Sequence, residues 1–391
     1  MKTLFTNTKL ILPDRVQDGW LIAEDGLITE TGTGVCPKAD YVIDCGGNYL
    51  SPGFVELHTH GAGGADFMDG TAEAFETACL MHLSHGTTSI LPTGLAASGT
   101  DIIRLIENFR EAKELLKGRG PRLPGLHMEG PYLCKEQCGA IDPEYIRPPV
   151  AKEYENFLSR GKGCIRRWTL AIEPEGALQF VKRLHEEGIL PSIGHSNAEY
   201  SQVLEGFEAG MTHVTHLYSA MSTITRKGGF RHSGVLESAF CIPDMTVELI
   251  ADGCHVPPEL LEMVYHVKGP DKTCLVCDSM RCAGQNVTES VFGTLGKGQA
   301  VIIEDGVAKM PDRTCFAGSI ALDDRLVRTM TQLAHVPLHD AVKMITLTPA
   351  RIIGMEKEIG SLEKGKRADM VIFDDEINVK AVFVDGVKLV G

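Results

Sequence analysis

At 391 residues the chain is longer than one ordinary domain, and it suits a single α/β barrel of typically about 250 residues plus a smaller accessory unit. A composition of 43% hydrophobic and 23% charged residues excludes disordered and fibrous classes. The formal net charge of -14 argues against binding to nucleic-acid phosphates, which requires clustered lysine and arginine.

Short apolar runs separated by turn residues predict strands at 3–12, 19–23, 26–30 and 41–44. The stretch 51–61, SPGFVELHTHG, reads as an apolar strand that ends in His-X-His. Strand side chains alternate with period two, so His58 and His60 share one face while Thr59 turns away. From residue 87 the pattern becomes strand followed by helix: 87–92 then 101–116, 125–129, 168–172 then 177–187, 191–195 then 198–209, 212–216, 246–251 then 258–266, and 274–278. That alternation predicts a parallel sheet, and the number of units favours a closed barrel over an open sheet. A hairpin at 300–310, turning at 304–306, interrupts it, and helices are predicted at 322–333 and 338–353. Strands return at 368–373, 379–384 and 387–390, with a turn at Asp385-Gly386, so both chain ends are expected to build one small β unit.

The opening residues lack a signal-peptide core and cleavage site, and no run approaches the ~20 apolar residues of a membrane helix, so a soluble, cytoplasmic protein without a membrane partner is expected. The twelve cysteines are scattered and read as reduced thiols. Cys274 with Cys277, and Cys134 with Cys138, each lack the second pair that a structural zinc site needs, so ordinary packing is expected of them.

The chemically capable residues fall at the carboxyl ends of predicted strands, where barrel enzymes place their chemistry: His58, His60, Glu129, His195, His216 and Asp278. Any one of them alone reads as a hydrogen-bonded core residue; the set at strand ends reads as a metal site. His127 and His213 precede their strand ends and are expected in the barrel core or supporting the ligands. His82, His85, His185 and His232 have no such placement and are assigned to packing or surface.

With these residues in place, the chain resembles the N-acetylglucosamine-6-phosphate deacetylases of the amidohydrolase superfamily from end to end. The likeness is carried by residues 52–61, by His127-Met128-Glu129-Gly130-Pro131, Gly194-His195-Ser196, Thr215-His216-Leu217-Tyr218 with Ala220-Met221, and Ala251-Asp252-Gly253 with His255. Asp278, Phe316-Ala317-Gly318-Ser319, Leu347-Thr348-Pro349-Ala350 and the tail 360–369 complete it. The resemblance implies a (β/α)8 TIM barrel over 51–357, a small β-sandwich domain from 1–50 and 358–391, and a homodimer. It implies one or two divalent ions per subunit, zinc first and iron, manganese or cobalt as other candidates. Glu129, His195 and His216 would hold one ion; His58 and His60 would hold a second that Glu129 bridges. The implied reaction turns N-acetyl-D-glucosamine 6-phosphate into D-glucosamine 6-phosphate and acetate, with Asp278 as general base. His255 is similar to a phosphate-contacting histidine, and Phe316, Ala317 and Gly318 to a loop lining the substrate mouth. Arg226, Lys227 and Arg231 are the local cations for a phosphate.

Three departures from the family pattern fall on the substrate side. A Gly-Ala-His motif reads Gly139-Ala140-Ile141, and isoleucine cannot donate a hydrogen bond to an acyl oxygen. Ser219 stands before Ala220 where the family has asparagine, and the phosphate-binding arginine aligns with Lys227, or with Arg226 if the loop shifts. A second ion could replace the lost donor, or the substrate could be another N-acyl amino sugar such as N-acetylgalactosamine 6-phosphate, an unphosphorylated sugar or a cyclic amide. Glu129 disfavours the cyclic amide, whose hydrolases often bridge two metals with a carboxylated lysine. A non-catalytic metal-binding scaffold is the remaining reading, and Asp278 speaks against it.

Overall fold

The computed structural model describes residues 1–391. Eight parallel strands form the central sheet: Phe54–Thr59, Thr87–Gly94, Leu126–Glu129, Ile165–Leu170, Leu190–Ile193, His213–Val214, Thr246–Ile250 and Thr273–Val276 are neighbours in that order. Its two edges meet just beyond the last strand, where the Asp278 N–H donates to the His58 carbonyl at 2.9 Å and the His60 N–H donates to the Ser279 carbonyl at 2.8 Å. These bonds close the sheet into a barrel, which leaves no free edge. Helices wrap its outside. Gly99–Leu115 shows why they form: the Ser98 side chain accepts the Asp101 N–H, and Ile102, Leu105, Ile106, Phe109 and Ala112 recur at helical spacing on one buried face.

A second eight-stranded sheet, mostly antiparallel, gathers strands from both chain ends, including Lys2–Leu12, Arg15–Glu24 and Tyr49–Pro52 with Met370–Phe373, Val379–Val384 and Val387–Val390. It has its own apolar core, in which Phe5 and Phe383 meet edge to face at 5.0 Å. Asp385 at φ 49° and Gly386 at φ 73° make the tight turn joining the last two strands.

The hairpin expected at 300–310 is Gln299–Glu304 paired with Val307–Lys309, and Glu289–Phe292 adds a third strand that the sequence reading missed. The single helix expected at 338–353 is two, Leu338–Ile345 and Leu347–Ile352, broken at Thr346 (φ -128°, ψ -79°). Pro349 just beyond has no N–H to continue the first helix. Helices Ala72–Ser84, Ala151–Arg160 and Val235–Cys241 were also not anticipated. The segment read as a basic loop is a hairpin of Thr225–Lys227 and Phe230–His232, turned by Gly228 and Gly229 at φ 55° and 90°. No helix is long and apolar enough to cross a membrane. All twelve cysteines are unpaired, with Cys274 and Cys277 buried.

Candidate metal centre

The strand ends bring all six predicted ligand-type residues to one end of the barrel. Glu129 stands between two imidazole pairs. Its Oε1 lies 3.2 Å from His195 Nε2 and 3.1 Å from His216 Nε2, and its Oε2 lies 3.2 Å from His60 Nε2. His58 Nε2 is 3.5 Å from Glu129 Oε1 and 3.5 Å from Asp278 Oδ1, which itself sits 3.2 Å from His60 Nε2. Two groups of buried ligand atoms result: Glu129, His195 and His216, and His58, His60 and Asp278.

These contacts fit a cation better than they fit hydrogen bonds. His195 donates its Nδ1–H to the Gln137 carbonyl at 2.7 Å, which leaves Nε2 with a bare lone pair. That nitrogen lies 3.1 Å from His216 Nε2, close to the ~3.3 Å separation of two nitrogens on one tetrahedral zinc. His58 donates Nδ1–H to Glu248 Oε2 at 3.2 Å, so its Nε2 is also bare, and that atom is buried without a hydrogen-bond partner. A carboxylate behind a ligating imidazole is the usual support of a metal-bound histidine.

The electrostatics point the same way. Burial disfavours charge on His58 and His60, yet without an ion the Asp278 and Glu129 carboxylates outweigh it and hold the rings protonated up to about 9 and about 10, so a cation would take the place of the proton on each Nε2. Burial would raise Glu129, but His58, His195 and His216 draw it well below the usual carboxylate range, and His58 and His60 depress Asp278 likewise. The cluster carries two carboxylates among its imidazoles, a balance that a divalent ion would suit. Backbone strain collects here too: His195, His216 and Asp278 adopt φ of 48°, 29° and 45°. Left-handed backbone at non-glycine residues persists only where surrounding contacts enforce it, and such residues cluster at working sites.

Beneath the ligands lie two residues the sequence reading did not select. Arg167 and Glu248 are fully buried and form an ion pair. Glu248 Oε2 also accepts the His216 backbone N–H at 3.1 Å, so one carboxylate touches two of the six residues, His58 and His216. Arg167 in turn donates to Ser192 Oγ at 3.0 Å, Thr215 Oγ1 at 2.8 Å and the Leu57 carbonyl at 3.2 Å. A charged residue inside an apolar barrel strand was the available signal. His127 and His213 lie in this interior layer: His127 bonds Thr93 at 3.1 Å and Thr169 at 2.7 Å, and His213 bonds Thr246 at 2.7 Å. His82 is also buried, 2.9 Å from Thr59 Oγ1.

A cavity of about 200 Å³ opens onto five of the six residues, His60, Glu129, His195, His216 and Asp278, with His58 behind them. Ala140, Ile141, Ser219, Ala220, His255, Phe316 and Gly318 line it, with Ile250, Phe292 and Cys315 as lining residues not foreseen. His255 is held by Asp252, 2.8 Å from its Nδ1, and its ring meets Phe316 at 4.9 Å. Ala317 is fully buried and does not line the cavity; its N–H donates to the Ala308 carbonyl and positions the loop. Arg226 and Lys227 are not brought to the cavity either. They sit on the exposed hairpin, where Lys227 pairs with Glu199.

The family model described as "Amidohydrolase family" matches residues 49–389. An N-acetylglucosamine-6-phosphate deacetylase of Haemophilus influenzae is 34% identical over 358 residues, covering 90% of this chain and 91% of that protein. An N-acetylgalactosamine-6-phosphate deacetylase of Shewanella sp. is 33% identical over 339 residues, covering 86% and 82%. The crystal structure of an N-acetylglucosamine-6-phosphate deacetylase from Pasteurella multocida superposes with a TM-score of 0.92 at 31% identity, over 100% of both chains.

Proposed function

This chain belongs to the N-acetylglucosamine-6-phosphate deacetylases of the amidohydrolase family, and from that premise we propose that it hydrolyses N-acetyl-D-glucosamine 6-phosphate to D-glucosamine 6-phosphate and acetate. The observation that carries the reading is Glu129 set between two imidazole pairs with Asp278 beside them, at the floor of a sugar-sized cavity. Glu129, His195 and His216 would hold one divalent ion, and His58 and His60, with Asp278 beside them, would hold a second. Zinc suits the nitrogen-rich donor set. A bound ion of this class lowers the pKa of water to about 7 and draws charge from an acyl oxygen.

The chain's own residues supply the rest. Asp278 turns Oδ1 to His58 and His60, which leaves Oδ2 to take the proton of the attacking water and deliver it to the departing amine nitrogen. Burial opposes its charge, but His58 and His60 hold its pKa down, so Asp278 is ionised at neutral pH and has a lone pair to accept with. His255, fixed by Asp252, meets the phosphate end of the substrate, and Phe316 covers the sugar. Ile141 donates nothing to the acyl oxygen, and a second ion, if bound by His58 and His60, would supply the charge stabilisation that such a donor gives. We assign the protein to the cytoplasm and to a homodimer on the same family premise.

Release of acetate from N-acetylglucosamine 6-phosphate by zinc-loaded protein tests this reading, and no release under any of zinc, iron, manganese or cobalt sinks it. A second reading, N-acetylgalactosamine 6-phosphate as the preferred epimer, is favoured by Ile141 and Ser219 at the sugar-facing wall and by the Shewanella relative. Rates on the two epimers decide between them.

A further inference from the structure

Beside the metal-centre cavity lies a smaller one of about 60 Å³, and Ala140, Ile141 and Phe292 line both. These three apolar residues are all that the two linings share. The far side of the smaller cavity is apolar as well, formed by Met68, Leu95, Ala96 and Ala97, each of them buried. Several of its polar residues already have partners within the chain. Lys297 Nζ lies 3.6 Å from Asp101 Oδ2, Asp142 accepts the Glu144 N–H at 2.9 Å, and Gln299 donates to the Ala140 carbonyl at 2.7 Å. The apolar shared wall and far side suit a hydrocarbon chain, with the charged residues at the remaining side.

The shared wall stands next to the reacting centre. Phe292 packs edge-on against His60 at 5.6 Å, and His60 Nε2 is 3.2 Å from Asp278 Oδ1. Whatever extends from an acyl carbon at that centre meets this wall first, because the carbonyl must sit by the ligands while the sugar and its phosphate point toward His255 and Phe316. Resting on the reading of the site given above, we propose that the paired cavities make this a deacylase for N-acyl groups longer than acetyl, with the acyl tail passing Ile141 and Phe292 into the smaller cavity. The smaller cavity, at about 60 Å³, takes a short hydrocarbon tail, and butyryl is the length we assign to it. In the reaction, water adds its oxygen to the acyl carbon, the C–N bond breaks with its electron pair going to nitrogen, both protons of the water go to that nitrogen, and butyrate leaves with the amino sugar as its ammonium. No redox partner is required.

The test is a kcat/KM series on N-acetyl, N-propionyl and N-butyryl glucosamine 6-phosphate with metal-loaded protein, repeated as dissociation constants on Asp278→Asn. Burying each added methylene is expected to raise kcat/KM by about fourfold. A butyryl-to-acetyl ratio above one supports the proposal, and a ratio below one overturns it. Ala97→Leu, at a position that lines only the smaller cavity, should lower that ratio at least tenfold while acetyl turnover stays within about threefold of wild type. An unchanged ratio in a variant with native circular dichroism overturns the proposal; if that variant does not fold, the wild-type series decides alone. Acetyl turnover with butyryl failure removes only this inference, whereas failure of every acyl form removes the sugar reading and the inference with it.

Discussion

Replacing Glu248 by glutamine keeps the shape of the side chain and removes one charge from the layer beneath the ligands. Both partners of the Arg167–Glu248 pair are fully buried. A guanidinium stranded there without its carboxylate costs about 3–5 kcal/mol, far more than a surface pair, whose median worth is about 0–1 kcal/mol. The hydrogen-bond accounting adds a second effect. Oε1 faces Arg167 and His213, while Oε2 accepts from His58 Nδ1 and the His216 N–H, so the glutamine NH2 must confront donors on one side or the other. At about 2.1 cal/mol/K per residue of unfolding entropy, the loss corresponds to a Tm lower by about 4–6 °C. The two ligands lose their orientation as well, so metal affinity should drop about 10–100-fold. Calorimetry on the metal-free protein reads the first effect and chelator competition the second. The double variant Arg167→Met/Glu248→Leu separates them, since removing both charges should recover most of the stability and none of the affinity. A Glu248→Gln protein with unchanged Tm and unchanged affinity would refute the assignment of this pair as the support of the centre.

Three further outcomes are expected. Asp278→Asn should lower kcat by about 10²–10⁴ while the ion held by Glu129, His195 and His216 is retained on mass-spectrometric metal analysis, and surviving turnover would remove the proton-transfer role. In the metal-free protein His58 and His60 are raised to about 9 and about 10, from about 6.5 in an unfolded chain, so their stabilising contribution is complete below pH 6.5 and disappears as pH rises through 9–10. The Tm of metal-free protein should therefore fall across that window, and metal addition at pH 7.5 should release protons in calorimetry with buffers of different ionisation enthalpy; a flat profile without proton release contradicts the charge balance. Gly194→Ala should destabilise by about 1–3 kcal/mol and weaken metal binding, because its Cβ would meet Thr169 Cγ2 and Thr215 Cβ at 2.8 Å each and displace His195; a neutral result in denaturant unfolding would contradict the packing.

The grouping of the six residues was legible in the sequence because barrel geometry gathers whatever stands within about two residues of each strand's carboxyl end. His58, His60, Glu129, His195, His216 and Asp278 all announce themselves that way. Arg167 and Glu248 do not, since a charged residue inside an apolar strand acquires meaning only when its partner, 81 positions away, is known to face it. Local turn chemistry was readable at Asp385-Gly386 and went unread at Gly228-Gly229, although both pairs have φ above zero for the same reason. The helix Ala72–Ser84 was hidden by its burial on several sides, including Phe75, Ala78, Cys79 and His82, which blurs the one-sided pattern that marks a surface helix. The second cavity had no sequence signature at all, because residues as distant as Leu95, Ile141 and Phe292 meet only in the folded chain.

The claim on which the rest depends is that Glu129, His195 and His216 share one hydrolytic ion. Anomalous diffraction at the zinc edge from crystals of metal-loaded protein addresses it directly. A peak within about 2.0–2.2 Å of Glu129 Oε1 and of both Nε2 atoms is the predicted result. An ion ligated by cysteine, or one that leaves these three side chains uncoordinated, would contradict it.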